Sequence, residues 1–192
     1  MQIFPLIKIK NRKILNSNYE ELIEKLSEND ILYIYDLDGI TKDKPNLCTF
    51  QRLSKTHELW VDSGPRNLGD VVDSLMSGVV AVTLRKNLWG NINLEKIREL
   101  TENKIYANID ADGYPDVPDF FYTDVDGLVN FTSKEETDSN EVCYNILKQL
   151  LQKNKTYTYE KDMHNLNYWK TKGIEDILVD IEKYEEFKKY GL

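Results

Sequence analysis

The sequence contains few residues of the types on which disulfide frameworks, zinc sites and nucleic-acid interfaces depend. Its 192 residues include two cysteines, Cys48 and Cys143, which lie far apart and form no Cys-x-x-Cys spacing, so neither a disulfide framework nor a zinc site is indicated. Lysine and arginine are also in the minority, at 25 against 33 acidic residues, and the net charge is -8. Because nucleic acids and anionic membranes attract basic surfaces, neither is expected as a partner.

Long apolar runs are absent as well. No stretch approaches the roughly 18 apolar residues of a membrane span, and residues 1–13 alternate apolar and basic side chains instead of forming the apolar core of a signal peptide. The composition, 41% hydrophobic and 30% charged, is that of an ordinary globular protein. We therefore expect one cytoplasmic domain over residues 1–192 that binds a small-molecule metabolite and no cofactor, with a protein partner or a homo-oligomer as open alternatives.

Short apolar runs alternate with amphipathic segments along the whole chain. The runs predict eight strands, at residues 3–9, 31–35, 58–61, 79–84, 104–109, 127–131, 156–159 and 174–179, with 120–123 as an alternative for the sixth. Helices are predicted between them, after a cap at Ser17 or Asn18, near 47–54, from Asn67 to Gly78, and at 94–102, 141–152, 166–171 and 183–190. Strands separated by helices pair in parallel through right-handed crossovers, and eight such units close a barrel.

These elements predict a small (β/α)8 TIM barrel of the α/β class with shortened connections, and an open parallel α/β sheet is the alternative. Shortened connections are expected because such barrels typically need about 250 residues. Residues 111–119 contain two prolines and a glycine, so they cannot form a regular helix and are where shortening is expected. Strand alternation points Tyr33 and Tyr35 to the same face of their strand, and likewise Tyr157 and Tyr159. We expect these four tyrosines to pack between strands and helices.

Four segments carry a resemblance to a known family. Residues 3–13 read IFPLIKIKNRK, residues 35–39 read YDLDG, residues 61–66 read VDSGPR with Asp70 following, and residues 173–179 read GIEDILV. In order and spacing they resemble the (β/α)8 barrel family that contains phosphoribosylformimino-AICAR-ribotide isomerase and the cyclase subunit of imidazole glycerol phosphate synthase. The resemblance covers nearly the whole chain and implies a barrel related to enzymes of histidine biosynthesis.

The departures from that family bear directly on function. The resemblance implies an acid–base pair of aspartates on strands one and five, and here these positions are Lys8 and Asp110. A lysine ammonium cannot serve as the base, so the two-carboxylate mechanism cannot run unchanged. The family's phosphate-binding glycines are also replaced, by Asp62-Ser63-Gly64, Arg85-Lys86, Glu160-Lys161 and Asp180. Because carboxylates repel a phosphate at short range, the bis-phosphorylated family substrate is not expected as the ligand.

Residues at the carboxyl ends of barrel strands face the side where barrel enzymes place their chemistry. Lys8 is a candidate nucleophile for a carbonyl group, with Asp110 as the residue that moves the proton. The alternative is that Lys8 forms an ion pair with Asp36 or Asp110 and fills space. The substrate-binding candidates are Asp36, Asp62, Arg66, Arg85, Lys86, Asp112, Glu160 and Asp180.

Two subsets of these residues allow further hypotheses. Four aspartates would offer the oxygen ligands that Mg²⁺ or Mn²⁺ prefers, namely Asp36, Asp62, Asp110 and Asp180. Because no compact metal motif occurs, we favour a solvated acidic rim and predict no metal. Three cations form either a replacement anion site or a set of counter-charges to the acidic rim, and the two interpretations weigh equally: Arg66, Arg85 and Lys86.

The sequence therefore favours a diverged enzyme of isomerase or lyase type that acts on a small carbonyl or sugar-derived biosynthetic metabolite and has lost the isomerase activity implied by the resemblance. One alternative is a non-catalytic barrel that binds a partner or regulates a pathway. The other is a retained ribotide isomerase activity.

Overall fold

A closed parallel barrel forms the centre of the molecule. The computed structural model describes residues 1–27, 29–109, 124–174 and 176–191, with the side chains of 142–144 and 146 left aside. Within these residues the strands are β1 (Gln2–Lys10), β2 (Lys13–Ile14), β3 (Leu32–Asp36), β4 (Leu59–Asp62), β5 (Ala81–Arg85), β6 (Lys104–Asn108), β7 (Gly127–Asn130), β8 (Thr156–Tyr159) and β9 (Asp176–Asp180). Strand β1 and strands β3 to β9 pair in parallel in chain order, and β9 pairs back onto β1. The (β/α)8 barrel is confirmed, and the open sheet is excluded because the sheet has closed.

Short helices surround the barrel. They are α1 (Tyr19–Glu24), α2 (Leu37–Lys42), α3 (Leu47–Leu53), α4 (Leu68–Met76), α5 (Leu94–Leu100), α6 (Lys134–Ser139), α7 (Glu141–Leu151), α8 (Leu166–Thr171) and α9 (Tyr184–Tyr190). None of these described helices exceeds 11 residues, which is how eight strand–helix units fit into a short chain. The segment 111–119, where shortening was predicted, lies outside the described residues. No described helix has the length and apolarity needed to cross a bilayer.

The outer faces of the strands and the inner faces of the helices form the larger core. Ile7, Ile34 and Val61 align across β1, β3 and β4 in register and are almost wholly buried. Helix side chains such as Phe50 and Val71 pack in the same cluster. Because alternate strand residues point to opposite faces, this outer layer fixes which residues point into the barrel.

The barrel interior is filled largely by aromatic rings. Trp60 is 1% exposed, and its ring centroid lies 4.9 Å from that of Tyr33, 3.9 Å from that of Tyr106 and 4.8 Å from that of Tyr157. The prediction that the tyrosines pack between strands and helices is therefore wrong, because Tyr33, Tyr157 and Tyr159 belong to the inner cluster. Alternation indicates that two residues share a face but does not say which face is the interior.

Local signals set several helix ends. Asn67 accepts a hydrogen bond from the Asp70 N–H and caps α4 as predicted, and Gly78 at φ 89° follows that helix. Asn18 precedes α1 in a left-handed conformation, but its side chain makes no capping hydrogen bond. Helix α2, which begins directly after β3, was not predicted. Gly39 lets α2 approach the end of β4, because a β-carbon there would collide with the Ser63 carbonyl oxygen.

Candidate active site at the barrel mouth

The last inward-facing positions of the eight barrel strands meet at the carboxyl end of the barrel, here called the mouth. Alternation along the strands and the pairing register place one residue from each strand in this layer. Four of them are charged and the other four are polar or aromatic: Lys8, Asp62, Arg85 and Asp180, with Tyr35, Asn108, Phe131 and Tyr159.

Lys8, Tyr159 and Asp180 form one hydrogen-bonded cluster across β1, β8 and β9. Lys8 Nζ donates to the Tyr159 hydroxyl at 2.6 Å and lies 2.7 Å from Asp180 Oδ1. The Tyr159 hydroxyl in turn donates to Asp180 Oδ2 at 2.7 Å. The side chains of Lys8 and Asp180 are 26% and 24% exposed, so the cluster is reachable from solvent. The alternative expectation was an ion pair of Lys8 with Asp36 or Asp110. The pair with Asp36 is not formed, because Lys8 contacts Asp180, and Asp110 lies outside the described residues.

Tyr159 is held in its neutral form. Burial raises the pKa of its phenol, and the hydrogen bond to Asp180 and the negative charges of Asp180, Glu182 and Glu160 raise it further. The ring also lies under the Lys8 ammonium, 4.6 Å from Nζ to the ring centroid. A phenol that stays protonated can donate a hydrogen bond or a proton at the site.

Arg85 and Asp62 form a second, deeper pair on β5 and β4. Arg85 Nε contacts both carboxylate oxygens at 3.0 and 3.1 Å, and Nη2 lies 2.7 Å from Oδ2. The Tyr33 hydroxyl donates to the same carboxylate at 3.2 Å. Burial by itself would lower the pKa of Arg85, but the charge and hydrogen bonds of Asp62 outweigh burial and raise it. The two charges are nearly inaccessible, at 7% and 0% side-chain exposure.

Aromatic rings lie beside the charged groups in the mouth. The Phe131 ring lies 4.7 Å from Tyr35, 6.0 Å from Tyr33 and 5.2 Å from Tyr159, measured between centroids. Arg85 lies over the Tyr35 ring at 5.4 Å. The mouth therefore presents aromatic rings next to the Lys8, Arg85, Asp62 and Asp180 side chains. The sequence analysis did not identify Phe131, Tyr35 and Tyr159 as site residues. Strand alternation could have found them, because each is the last residue of its predicted strand that points into the barrel, as Lys8 is of the first predicted strand.

Asp36 faces the helices and caps α2. Its Oδ1 accepts from the backbone N–H groups of Asp38 and Gly39 and from the Asn46 side chain, the last at 2.7 Å. Its Oδ2 accepts from the Asn46 backbone N–H at 2.7 Å. Burial raises the pKa of the Asp36 carboxyl against the opposing effect of the Asn46 hydrogen bonds. The carboxylate thus holds α2 and the segment before α3 in place.

Glu160, just after β8, also faces the helices. Its carboxylate accepts from the backbone N–H groups of Lys161 at 2.7 Å and Asp162 at 2.9 Å, and from the indole N–H of Trp169 at 2.7 Å. Glu160 is 8% exposed. The buried carboxylate therefore uses the N–H groups that an anionic ligand would need at this loop.

Arg66 follows β4 in the chain, and its side chain contacts α2. Its guanidinium donates to the carbonyl oxygens of Gly39, Ile40 and Gly64 at 2.9 to 3.1 Å and pairs with Asp43 at 3.0 Å. These contacts hold the carbonyl groups of α2. Arg66 is not brought together with Arg85, whose own partner is Asp62.

Of the other three candidate residues, one lies within the described part of the chain and two lie outside it. Lys86 is half-buried directly after β5. Asp110 and Asp112 lie outside the described residues. Among the residues that are described, no three aspartate, glutamate, histidine or cysteine side chains gather as metal ligands. Asp62 and Asp180 each pair with a cation instead.

Comparison with known proteins does not assign the barrel to a family. No protein-family model matches the sequence, and no curated protein matches it significantly. The resemblance to histidine-biosynthesis barrels therefore rests on the four segments given above, while the closed (β/α)8 fold rests on the strand pairing.

Proposed function

We propose that the mouth is the active site of an enzyme that acts on a small carbonyl compound or sugar-derived metabolite, with Lys8 as the reacting group. The observation that carries the proposal is the contact of Lys8 Nζ with the Tyr159 hydroxyl at 2.6 Å and with Asp180 at 2.7 Å. Barrel enzymes use residues at these strand ends for chemistry. The partial exposure of Lys8 leaves its amine within reach of a ligand.

The three side chains supply the groups that imine formation needs. Asp180 accepts a proton from the Lys8 ammonium, and the neutral amine then attacks the carbonyl carbon to give a carbinolamine. The proton returns from Asp180 through the Tyr159 hydroxyl to the carbinolamine hydroxyl, which leaves as water. The products are an iminium ion on Lys8, one water molecule and the Asp180 carboxylate, so atoms and charge balance.

An iminium ion withdraws electrons from the neighbouring carbon. It therefore favours loss of a proton or breakage of a carbon–carbon bond at that position, which are the reactions of isomerases and lyases. Asp110 is our predicted acid–base residue for that later step, because in the sequence it directly follows the predicted strand at residues 104–109. This assignment remains a prediction from the sequence.

We further propose that the ribotide isomerase activity implied by the resemblance is lost. Lys8 stands where the resemblance implies an acid–base aspartate. The Glu160 carboxylate already binds the backbone N–H groups of the loop after β8, where the resemblance implies a phosphate. Both features oppose a bis-phosphorylated substrate at the mouth, and the ribotide is expected not to be isomerised by the protein.

A non-catalytic binding or regulatory barrel is the second candidate function. The observation that favours it is the internal pairing of the mouth's charges, because Lys8 is paired with Asp180 and Arg85 with Asp62. In such a barrel Lys8 would stabilise the closure of β9 onto β1 and would not react.

Reductive trapping separates the two candidates. The full chain would be incubated separately with glyceraldehyde, dihydroxyacetone and pyruvate in the presence of cyanoborohydride, and the modified lysines would be located by peptide mass mapping. Enzymatic imine formation predicts an adduct on Lys8 that forms at least about tenfold faster than on exposed Lys10 of the same strand.

Two variants serve as matched controls. Lys8→Arg keeps the positive charge beside Asp180 but cannot form an imine, so the fast adduct is expected to disappear. Lys10→Arg is expected to leave it unchanged. If Lys8 reacts no faster than Lys10 with every probe, the nucleophile role is wrong and the non-catalytic barrel becomes the better proposal.

A further inference from the structure

A cavity lies at the same end of the barrel, outside the ring of mouth residues. It is formed by the turn between β1 and β2, by α2 and by the segment leading to α3, and its volume is about 400 Å³. Pockets for small ligands begin at about this size. Six charged or amide side chains line it: Asn11, Arg12, Asp38, Lys42, Lys44 and Asn46.

The cavity concentrates positive charge in an acidic protein. Three of its lining residues are cations and one is a carboxylate, which gives a local charge of +2 on a chain whose net charge is -8. Like charges gathered around one cavity repel one another, so their clustering favours a ligand of opposite charge.

Asp38 offsets only one of the three cations, Lys42, with which it forms an ion pair, and it also holds the cavity walls together. Its carboxylate accepts from the Arg12 backbone N–H at 2.9 Å, from the Asn46 side chain at 3.2 Å and from Lys42 Nζ at 3.1 Å. The backbone hydrogen bonds from Arg12 and Asn11 keep the pKa of Asp38 well below its usual value. The carboxylate therefore stays ionised and joins the turn after β1 to α2.

The walls are also joined by Lys42. Its ammonium donates to the Asn11 side-chain oxygen at 2.8 Å as well as to Asp38. Asn11 and Arg12 both have positive φ, at 52° and 61°, as in the tight hairpin turns that match the twist of paired strands. The cavity is thus built before any ligand arrives.

Two cationic groups remain available to a ligand. The structure describes no hydrogen bond or ion pair between the Arg12 guanidinium or the Lys44 ammonium and any other described residue. Both residues are exposed and line the cavity. A guanidinium presents two parallel N–H donors that fit two oxygens of a phosphate, and an ammonium adds a point charge.

We propose that this cavity is an anion site that binds the phosphate group of a small ligand through Arg12 and Lys44. A phosphate dianion matches the local charge of +2, and its oxygens match the donors that the cavity leaves open. The proposal does not depend on the carbonyl chemistry proposed for Lys8, because neither Arg12 nor Lys44 contacts the Lys8 cluster.

Titration with inorganic phosphate tests the site. Amide resonances of the full chain would be followed by ¹H–¹⁵N NMR in low-salt buffer as phosphate is added. Saturable shifts are expected at residues 10–13 and 38–46. The double variant Arg12→Gln with Lys44→Gln is expected to weaken binding by about tenfold or more.

The matched control is Lys10→Gln with Lys13→Gln. It removes the same number of positive charges, from the hairpin that contains Arg12. Neither lysine lines the cavity, so affinity is expected to fall by less than about threefold through the loss of long-range attraction alone. All four side chains are exposed, and unchanged circular dichroism would show that both double variants are folded. Equal weakening in the two double variants, or shifts that do not saturate, would overturn the proposal.

The source of the phosphate group is settled by a second titration with glycerol phosphate. Tighter binding than that of inorganic phosphate identifies the site as one for a phosphorylated metabolite, whereas weaker binding identifies a site for the free ion. Sulfate that binds as tightly as phosphate to the parent and to both double variants would show that the cations merely attract counter-ions, and it would contradict the assignment. Lys8 is unchanged in every arm, so failure here leaves the carbonyl proposal intact.

Discussion

Arg85 and Asp62 form a forked ion pair across β4 and β5 that is almost completely buried. Two nitrogens of the guanidinium reach the two carboxylate oxygens at 2.7 to 3.1 Å, and the Tyr33 hydroxyl donates a further hydrogen bond to Asp62. A buried charge that keeps all its partners is tolerated, whereas one that loses its partner is costly. The pair therefore constrains substitutions in the interior of the barrel more strongly than the partly exposed cluster at Lys8 does.

Removing one member of this pair is expected to destabilise the protein strongly. Asp62→Leu or Arg85→Met alone should lower the free energy of unfolding by about 3–5 kcal/mol, because each leaves the other member of the pair as a buried charge without a partner. The double variant should recover most of that loss, since both charges disappear together. Urea denaturation of the three variants measures this, and single variants that cost less than about 1 kcal/mol would show that water reaches the pair.

Glu160→Gln should destabilise the protein although it preserves size and shape. The carboxylate accepts three N–H groups, from Lys161, Asp162 and Trp169. An amide has one acceptor oxygen, so its NH₂ group must face one of these donors, at a cost of about 1–3 kcal/mol. Glu99→Gln on the exposed face of α5 is the control and should change the free energy of unfolding by less than about 0.5 kcal/mol. Equal effects in the two variants would contradict the role of Glu160.

The sequence predicts the strands well because each barrel strand is buried on both faces and bounded by polar residues. The run at residues 156–159 and the helix at 166–171 coincide with β8 and α8. Helix α2 was missed because Asp36 is both the last residue of β3 and the residue that caps α2. No linker separates the two elements, so the sequence from Asp36 onward resembles a strand end followed by a turn.

The site was predicted less completely than the fold. Its strand-end positions follow from periodicity, which is why Lys8, Asp62, Arg85 and Asp180 were identified. Their pairing was not predictable, because Lys8 and Asp180 lie at opposite ends of the chain and meet only when β9 closes onto β1, with Leu6 opposite Asp180 in register. Tyr159 was assigned to helix packing because alternation does not say which face of a strand points inward.

Asp38→Asn should change the pH dependence of stability in a defined direction. The folded pKa of Asp38 lies below the unfolded value of 3.8, so between the two the unfolded chain binds more protons and stability rises with pH. The stabilisation is therefore fully present above the unfolded value and is lost as the pH falls toward the folded one.

Urea denaturation at pH 7, 5 and 3 measures this effect. The parent should exceed Asp38→Asn in stability at pH 7 and 5, and the difference should shrink at pH 3. Asp73→Asn, at an exposed aspartate of α4, is the control and should show no such trend. A difference that stays constant over this range would show that Asp38 acts through its shape and not through its charge.

Tyr159→Phe should slow imine formation on Lys8 far more than it changes stability. Only the hydroxyl that links Lys8 to Asp180 is lost, and the direct Lys8–Asp180 contact remains. General acid–base groups typically contribute about a hundredfold or more, whereas one partly exposed hydrogen bond contributes about 1 kcal/mol to stability. The rate of reductive trapping and the urea midpoint are the two measurements. Tyr157→Phe on the same strand is the control, and equal rates for the two variants would remove Tyr159 from the mechanism.

Arg12→Gly should make the protein more stable and weaken its binding of phosphate. Arg12 has φ 61°, where a side chain costs about 1–2 kcal/mol and glycine does not, although glycine loses part of the gain through its greater freedom in the unfolded chain. The net expectation is a gain of about 0.5–1 kcal/mol in the free energy of unfolding.

Arg12→Gln separates the two effects, because it keeps the strained backbone and removes the charge. It should weaken phosphate binding as much as Arg12→Gly does while leaving stability near that of the parent. Urea denaturation and phosphate titration of both variants provide the comparison. If Arg12→Gly stabilises the protein and weakens phosphate binding, ligand binding explains why an arginine occupies a position where glycine would be more stable. If Arg12→Gly instead destabilises the protein, the Arg12 side chain supports the hairpin, and the backbone strain is no argument for a functional role.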